Sequence, residues 1–288
     1  MKLPAFDYAC PATLAEAVAL LASRDEARVL AGGQSLVPMM AFRVASPSLL
    51  VDLRKLSDLR RITIDNSGVR LGAMVRWRDI EADARLVAAH PLLKAAVSHV
   101  AHYQIRNRGT VGGSIAHADP AAEMPGIAVT CDAEIAVVGA AGSRVIRAED
   151  FFIAPLVTAL AADEVITEIR LPAWPPQRRW GFREFSRRRG DFAMAAAAVF
   201  YELDDAGRAY NAHIGAIGVG DRPVRLTAAE AEINGKAVDV AACERAGAAA
   251  SAAVNPQSDI HASGAYRKSL IGTMVERALQ SAGGSPCR

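Results

Sequence analysis

Apolar positions change their period several times along this chain of 288 residues. Over residues 13–23, TLAEAVALLAS, Leu14, Val18 and Leu21 recur at helical spacing, and Thr13 with Glu16 three residues on has the form of a capping box. ARVLA (27–31) then reads as a strand and LLVDL (49–53) as another, an α/β opening unit. RRITIDNSGVRLGAMV alternates on both sides of Asn66-Ser67-Gly68 and predicts a hairpin. RDIEADARLVAAHPLLKAAVSHVA predicts one or two helices broken near Pro91, and Asp119-Pro120 is placed to cap and begin another. AEIAVVGAAGSRVIRAEDFF predicts a second hairpin and EVITEIRLP a closing strand. Beyond Trp174-Pro175-Pro176, strands are expected at 180–187, 193–203 and 212–218, with helices at 226–233, 240–253 and 266–279. SAGGSPCR reads as a loose tail. The boundaries so drawn are 1–57, 58–176 and 177–288, and the class is α+β.

Composition narrows the function classes. A formal net charge of +2 provides no broad basic field, which argues against nucleic acid. The four cysteines, Cys10, Cys131, Cys243 and Cys287, form no CxxC pair and have no histidine at metal-ligand spacing. No zinc or iron–sulfur site is therefore expected on this chain, and a reducing, cytoplasmic setting fits. Pro4, Asp7 and Pro11 interrupt the place where a signal peptide needs an apolar run. No stretch approaches the roughly 20 apolar residues of a membrane span.

Two glycine-rich stretches carry the candidate chemistry. VLAGGQSLVPMM (29–40) ends an apolar run with Gly32-Gly33 followed by Gln34 and Ser35. RNRGTVGGSIAHADPAAEMP (106–125) repeats the design with Gly112-Gly113 and Ser114. Neither is GxGxxG, and neither is GxxxxGK[ST]. Consecutive glycines let several backbone N–H groups converge on an anion without a Cβ in the way, and Ser35, Ser114, Gln34 and Thr110 add polar groups. Two such nests face to face would suit a pyrophosphate. Glycine pairs also serve plain tight turns, and on the residues alone both readings stand.

Together with PAFDY near the start, RRRGDFA in the third unit and SDIHASGAYR near the end, the two stretches resemble the FAD-binding medium subunit of molybdenum hydroxylases. This is the family of carbon monoxide dehydrogenase, quinoline 2-oxidoreductase and the flavin domain of xanthine dehydrogenase. The resemblance covers nearly the whole chain. It implies a two-subdomain FAD-binding region, like that of vanillyl-alcohol oxidase, at 1–57 and 58–176. A small C-terminal α+β domain with a three-stranded sheet and helices would follow at 177–288.

By position, the resemblance puts Leu30, Ala31, Gly32, Gly33, Gln34, Ser35 and Leu36 in a first cradle for non-covalently bound FAD, and Gly109, Thr110, Gly112, Gly113 and Ser114 in a second. Ala118 and Glu123 match positions near the adenosine and ribityl parts, where many relatives carry Asp in place of Glu123. Glu123 also reads as a first-turn helix acid. Arg28, Ala101, Ile105, His117 and Ile166 match positions around the cofactor, although a solvated arginine and ordinary packing residues would look the same. Neither His102 nor His117 is assigned a proton-transfer role. Were 180–187 a strand, Arg183, Phe185 and Arg187 would share a face, with Arg183 toward the flavin. The alternative is a charged sheet edge. Phe192 stands where several relatives have a tyrosine over the ring and would keep the stacking surface without the hydroxyl.

The implied role is electron transfer. Two [2Fe-2S] clusters on a small subunit would pass electrons to the FAD of this chain, and the flavin would pass them to an external acceptor. Hydroxylation would occur on a large molybdopterin subunit, in a dimer of heterotrimers. No metal site and no catalytic residue for hydroxylation is expected here. A self-sufficient FAD oxidoreductase of the same fold and a flavin-free scaffold subunit are the alternatives.

Overall fold

The computed structural model describes residues 2–283; Cys287 and most of the expected loose tail lie outside them. A three-stranded parallel sheet opens the fold, from β1 (Asp7–Ala9), β2 (Ala27–Leu30) and β3 (Leu49–Asp52) in the order β1-β3-β2. The helix α1 (Leu14–Ala22) links β1 to β2. Thr13 accepts from the N–H of Glu16 while the Glu16 carboxylate accepts from the N–H of Thr13, so the capping box forms. Ala17, Val18 and Leu21 of α1 pack on Val51 and Leu49 of the sheet. After the first glycine loop a short helix, α2 (Leu36–Ala41), takes up residues that the pattern left unassigned.

A five-stranded antiparallel sheet follows. Its hairpins are β4 (Ile62–Asp65) with β5 (Gly68–Gly72) and β6 (Glu134–Gly139) with β7 (Gly142–Arg147). Between them in sequence lie α3 (Trp77–Ala82), α4 (Leu86–Ala89), α5 (Pro91–Val97), α6 (Tyr103–Arg106), α7 (Val111–His117) and α8 (Glu123–Thr130). The segment expected to hold one or two helices thus holds three. His90, at the Pro91 break, caps α5 with its ring nitrogen, and Asp83 supplies the earlier break. Next come α9 (Ala148–Phe151), the small pair β8 (Phe152–Ala154) and β9 (Val157–Thr158), and then β10 (Val165–Pro172). Although last in sequence, β10 is central in space, between β5 and β6 in the order β4-β5-β10-β6-β7.

Two expectations for 106–125 are corrected. The second glycine stretch is a helix and not a loop: Thr110 caps α7, with its hydroxyl accepting from the Gly113 N–H, and Gly112 and Gly113 lie in the first turn. Helix α8 begins at Glu123 and not at Asp119-Pro120. The Asp119 carboxylate instead closes a turn by accepting from the Ala121 N–H.

The third unit is an antiparallel sheet of β11 (Arg179–Phe185), β12 (Ala195–Leu203) and β13 (Ala209–Ile217), to which a two-residue strand, β14 (Val224–Arg225), adds a fourth. It is backed by α10 (Thr227–Ala231), α11 (Val240–Ala253) and α12 (Gly264–Ala282). Both faces of β12 are buried, which explains its alanine run. Ala196, Ala198 and Phe200 face the core of the five-stranded sheet, while Ala195, Ala197, Val199 and Tyr201 face the helices. Gly181 permits that packing, because a Cβ there would lie 2.1 Å from the Ala278 carbonyl oxygen of α12. No helix among the described residues is long and apolar enough to cross a membrane.

Candidate functional site: a cleft shared by three units

A cleft of about 1730 Å³ runs between the parallel sheet, the five-stranded sheet and the third unit. The first unit contributes Arg28 and the stretch from Ala31 to Leu36. The second contributes Ala101, Ile105, Gly109, Thr110, Gly112, Gly113, Ser114, His117, Glu123 and Ile166. Phe192 enters from the loop after β11, 62% exposed and free to cover a ligand. Residues from positions far apart in sequence therefore meet around one space.

The first glycine loop is a bare backbone surface. Among the described residues, nothing accepts a hydrogen bond from the backbone N–H groups of Gly32, Gly33, Gln34 and Ser35. Gly33 has φ +72°, a left-handed conformation that glycine adopts without strain. The Gln34 amide donates to the Gly32 carbonyl at 3.0 Å and braces the turn, while the Ser35 hydroxyl makes no capping bond to α2. Four donors that the protein itself leaves unpaired thus line the partly exposed edge of the cleft, where a bound anion can accept from them.

The second stretch works differently, and the expectation of two matching nests is corrected. Here the N–H groups are already used: Val111 donates to the Val75 carbonyl and Gly112 to the Ala73 carbonyl, each at 2.9 Å, and Gly113 donates to the Thr110 hydroxyl at 3.2 Å. Gly112 is a packing glycine, since its Cβ would lie 2.5 Å from the Cβ of Ala73. Gly113 faces Ala31, to which its Cβ would be 3.8 Å. One loop offers free donors; the other offers a smooth wall with the Ser114 hydroxyl.

Three residues expected at the site are not among those lining the cleft. Leu30 lies behind the loop in β2, Ala118 is buried as the left-handed cap of α7, and Arg183 lies off the cleft. Arg183 sits on β11 and donates to the Phe182 carbonyl at 2.9 Å, beside a second cavity of about 480 Å³. Strand alternation fails as a guide to Arg187, because β11 ends at Phe185; the chain then turns, and Arg187 reaches the cleft. Asp259, His261 and Arg267 also line the cleft, and the sequence reading assigned them no role. Their only signal is their place in SDIHASGAYR. Buried Arg267 donates to the carbonyls of Met194 and Gly218 and to Asp259, which fixes the walls of this end.

Burial shapes the titrating groups. The Glu123 carboxyl is pushed up to about 8, by burial first and by the charges of Glu184 and Asp119 in addition. It carries a proton at neutral pH. Burial also lowers His117, which favours its neutral imidazole. At the other end Asp259 is held below the usual carboxylate range by the N–H groups of Ala262 and His261, with Arg267 nearby.

The family model described as "FAD binding domain in molybdopterin dehydrogenase" matches residues 4–174, the two units that build most of the cleft. The chain belongs to this FAD-binding family. The model described as "CO dehydrogenase flavoprotein C-terminal domain" matches residues 180–282. The medium subunit of nicotine 6-hydroxylase from Paenarthrobacter nicotinovorans is 39% identical over 284 residues, spanning 98% of this chain and 99% of that one. The carbon monoxide dehydrogenase medium chain of Hydrogenophaga pseudoflava is 35% identical, spanning 97% of each. A solved structure of that organism's carbon monoxide dehydrogenase, lacking the Mo-pyranopterin moiety, superposes with a TM-score of 0.95 at 37% identity over 99% of both chains. Quinoline 2-oxidoreductase from Pseudomonas putida 86 superposes at 0.94 with 38% identity, also over 99% of both. As a molybdenum-hydroxylase flavoprotein, the chain is a subunit of an oxidoreductase, and its likeness to these proteins runs through all three units.

Proposed function

We propose that this chain holds one FAD non-covalently in the three-unit cleft, as the electron-relaying medium subunit of a molybdenum hydroxylase. The observation that carries the reading is the set of unpaired N–H groups at Gly32–Ser35, opposite the smooth wall of α7. They suit the oxygens of a pyrophosphate. The cleft, at about 1730 Å³, also exceeds the roughly 300–1,000 Å³ of an ordinary small-molecule pocket, as an extended dinucleotide requires.

Bound there, FAD supplies a two-electron store that can exchange electrons one at a time. The N–H groups of the first loop and the Ser35 and Ser114 hydroxyls would hold its phosphates. Phe192, exposed at the cleft, would offer its ring to the flavin. Arg187, from the cleft side of the third unit, takes the charge-stabilising role expected of Arg183. His117 stays neutral in its half-buried place.

Electrons would come from two [2Fe-2S] clusters of a small subunit, and the substrate would be hydroxylated on a large molybdopterin subunit, in a dimer of heterotrimers. The nicotine and quinoline relatives support an N-heteroaromatic substrate for the complex. A cytoplasmic setting is supported by unpaired Cys10, Cys131 and Cys243, the last two pushed up to about 12 and about 11 by burial.

Acid denaturation should release FAD, not FMN, and leave none on the polypeptide. Anaerobic N-heteroaromatic substrate should bleach the flavin of the full complex and leave that of the isolated chain oxidised. Bleaching of the isolated chain at the rate of the complex would instead establish a self-sufficient flavoenzyme.

A further inference from the structure

We propose that His261 is a positioning residue whose ring holds the Arg187 guanidinium at the cleft. Nη1 of Arg187 lies 3.3 Å from Nδ1 of His261, and both residues line the cleft. A guanidinium carries N–H donors and no acceptor, so Arg187 donates and Nδ1 accepts. Among the described residues this is the one hydrogen bond of the Arg187 side chain, and no carboxylate pairs with it. Its positive charge is therefore left for what the cleft holds.

The backbones on both sides of this contact are fixed. The Asp259 carboxylate accepts from the N–H groups of His261 and Ala262 at 2.8 and 2.9 Å, and buried Arg267 donates to its other oxygen at 2.7 Å. Arg267 also donates to the Met194 carbonyl, which ties the His261 turn to the end of the loop that bears Arg187. That loop, 186–194, joins β11 to β12 and carries Phe192 as well. The Met194 N–H closes its base by donating to the Phe185 carbonyl at 2.9 Å. Inside it the Ser186 hydroxyl and the Asp191 N–H both donate to the Arg188 carbonyl, at 2.9 and 3.0 Å. Its far side rests on the second unit: Gly190 has φ +89°, and a Cβ there would lie 2.7 Å from the Ala101 carbonyl oxygen. The long, exposed Arg187 side chain has no such support except the His261 ring. A solvated arginine samples many rotamers, and an acceptor on a fixed turn selects one of them.

This inference rests on the FAD reading, with Arg187 as the cation that stabilises negative charge on the reduced cofactor. A cation kept at the cleft wall favours that charge more than one that swings into water, because attraction falls with distance and is screened by solvent. His261 thus tunes the flavin potential through Arg187.

The test has two readouts. In the full FAD-loaded chain, with FAD in excess, spectroelectrochemical titration should give a lower flavin midpoint potential for Arg187→Ala and a smaller drop for His261→Ala. The drops correspond to reduced FAD held about tenfold and about threefold less tightly relative to oxidised FAD. His261→Asn, whose amide oxygen can take the place of Nδ1, should recover the parent value. The double variant should match Arg187→Ala alone, since His261 acts only through that side chain. The second readout needs no cofactor: in the 15N-histidine-labelled chain, the Nδ1 resonance of His261 should shift in Arg187→Ala. A parent-like potential in His261→Ala, no recovery in His261→Asn, additive drops in the double variant or an unmoved Nδ1 resonance each overturns the positioning role and leaves the FAD reading standing. A parent chain that holds no flavin overturns both.

Discussion

Gly32 and Arg108 approach so closely that a Cβ on Gly32 would lie 2.3 Å from the Arg108 carbonyl oxygen and 2.9 Å from the Cα of Gly109. The two glycine-bearing stretches, over seventy residues apart in sequence, thus touch backbone to backbone at the floor of the cleft.

Gly32→Ala should therefore separate the two stretches and remove most bound FAD. Neither neighbour is a flexible side chain, so the clash is relieved only by moving backbone, at a cost of about 1–3 kcal/mol. The flavin-to-protein absorbance ratio of folded protein checks it. Normal occupancy would show that the floor need not be tight.

Gly33 is limited by conformation more than by space. At φ +72° a β-branched residue is strained, and a Cβ would press on Leu30 and Val37 at 3.3 Å each. Gly33→Val should lose most FAD, and Gly33→Ala should fall between, with a backbone penalty of about 1–2 kcal/mol. Flavin titration of each apoprotein gives the ranking.

Arg267→Met should destabilise the third unit by about 2–4 kcal/mol, since it removes the donor from two carbonyls and from Asp259. Calorimetry should show a lower melting transition. By contrast Phe192→Ala, at an exposed side chain, should leave stability within about 0.5 kcal/mol while changing flavin fluorescence and affinity.

The raised Glu123 carboxyl gives a pH dependence with a definite sign. Between the ordinary value of 4.5 and the folded value of about 8, the unfolded chain has lost this proton and the folded chain retains it. The contribution to stability is full below pH 4.5, declines as pH rises and is gone above about 8, with a slope of up to about 1.4 kcal/mol per pH unit. Urea melts of the cofactor-free chain at several pH values, compared with Glu123→Gln, should show this slope in the parent alone.

The local elements were legible in the sequence because they depend on neighbours in the chain. Thr13 and Glu16 specify a helix start, Asn66-Ser67-Gly68 a hairpin and residues 240–253 a helix, and each forms. The family was legible as well, because its motifs are contiguous. The sequence could not show that β10 lies at the centre of its sheet, since a strand's neighbours follow from which hairpin edges remain unpaired after folding. Nor could it show that Gly112 packs on Ala73 while Gly32 faces Arg108, because both glycine pairs look alike until the opposing backbone is in place. The placing of Arg183 outside the cleft and Arg187 inside it was decided by where β11 stops. The proton on Glu123 was decided by tertiary burial, because a carboxyl's charge depends on the water and charges around it, and Glu184, sixty-one residues away in sequence, is brought near only by the fold.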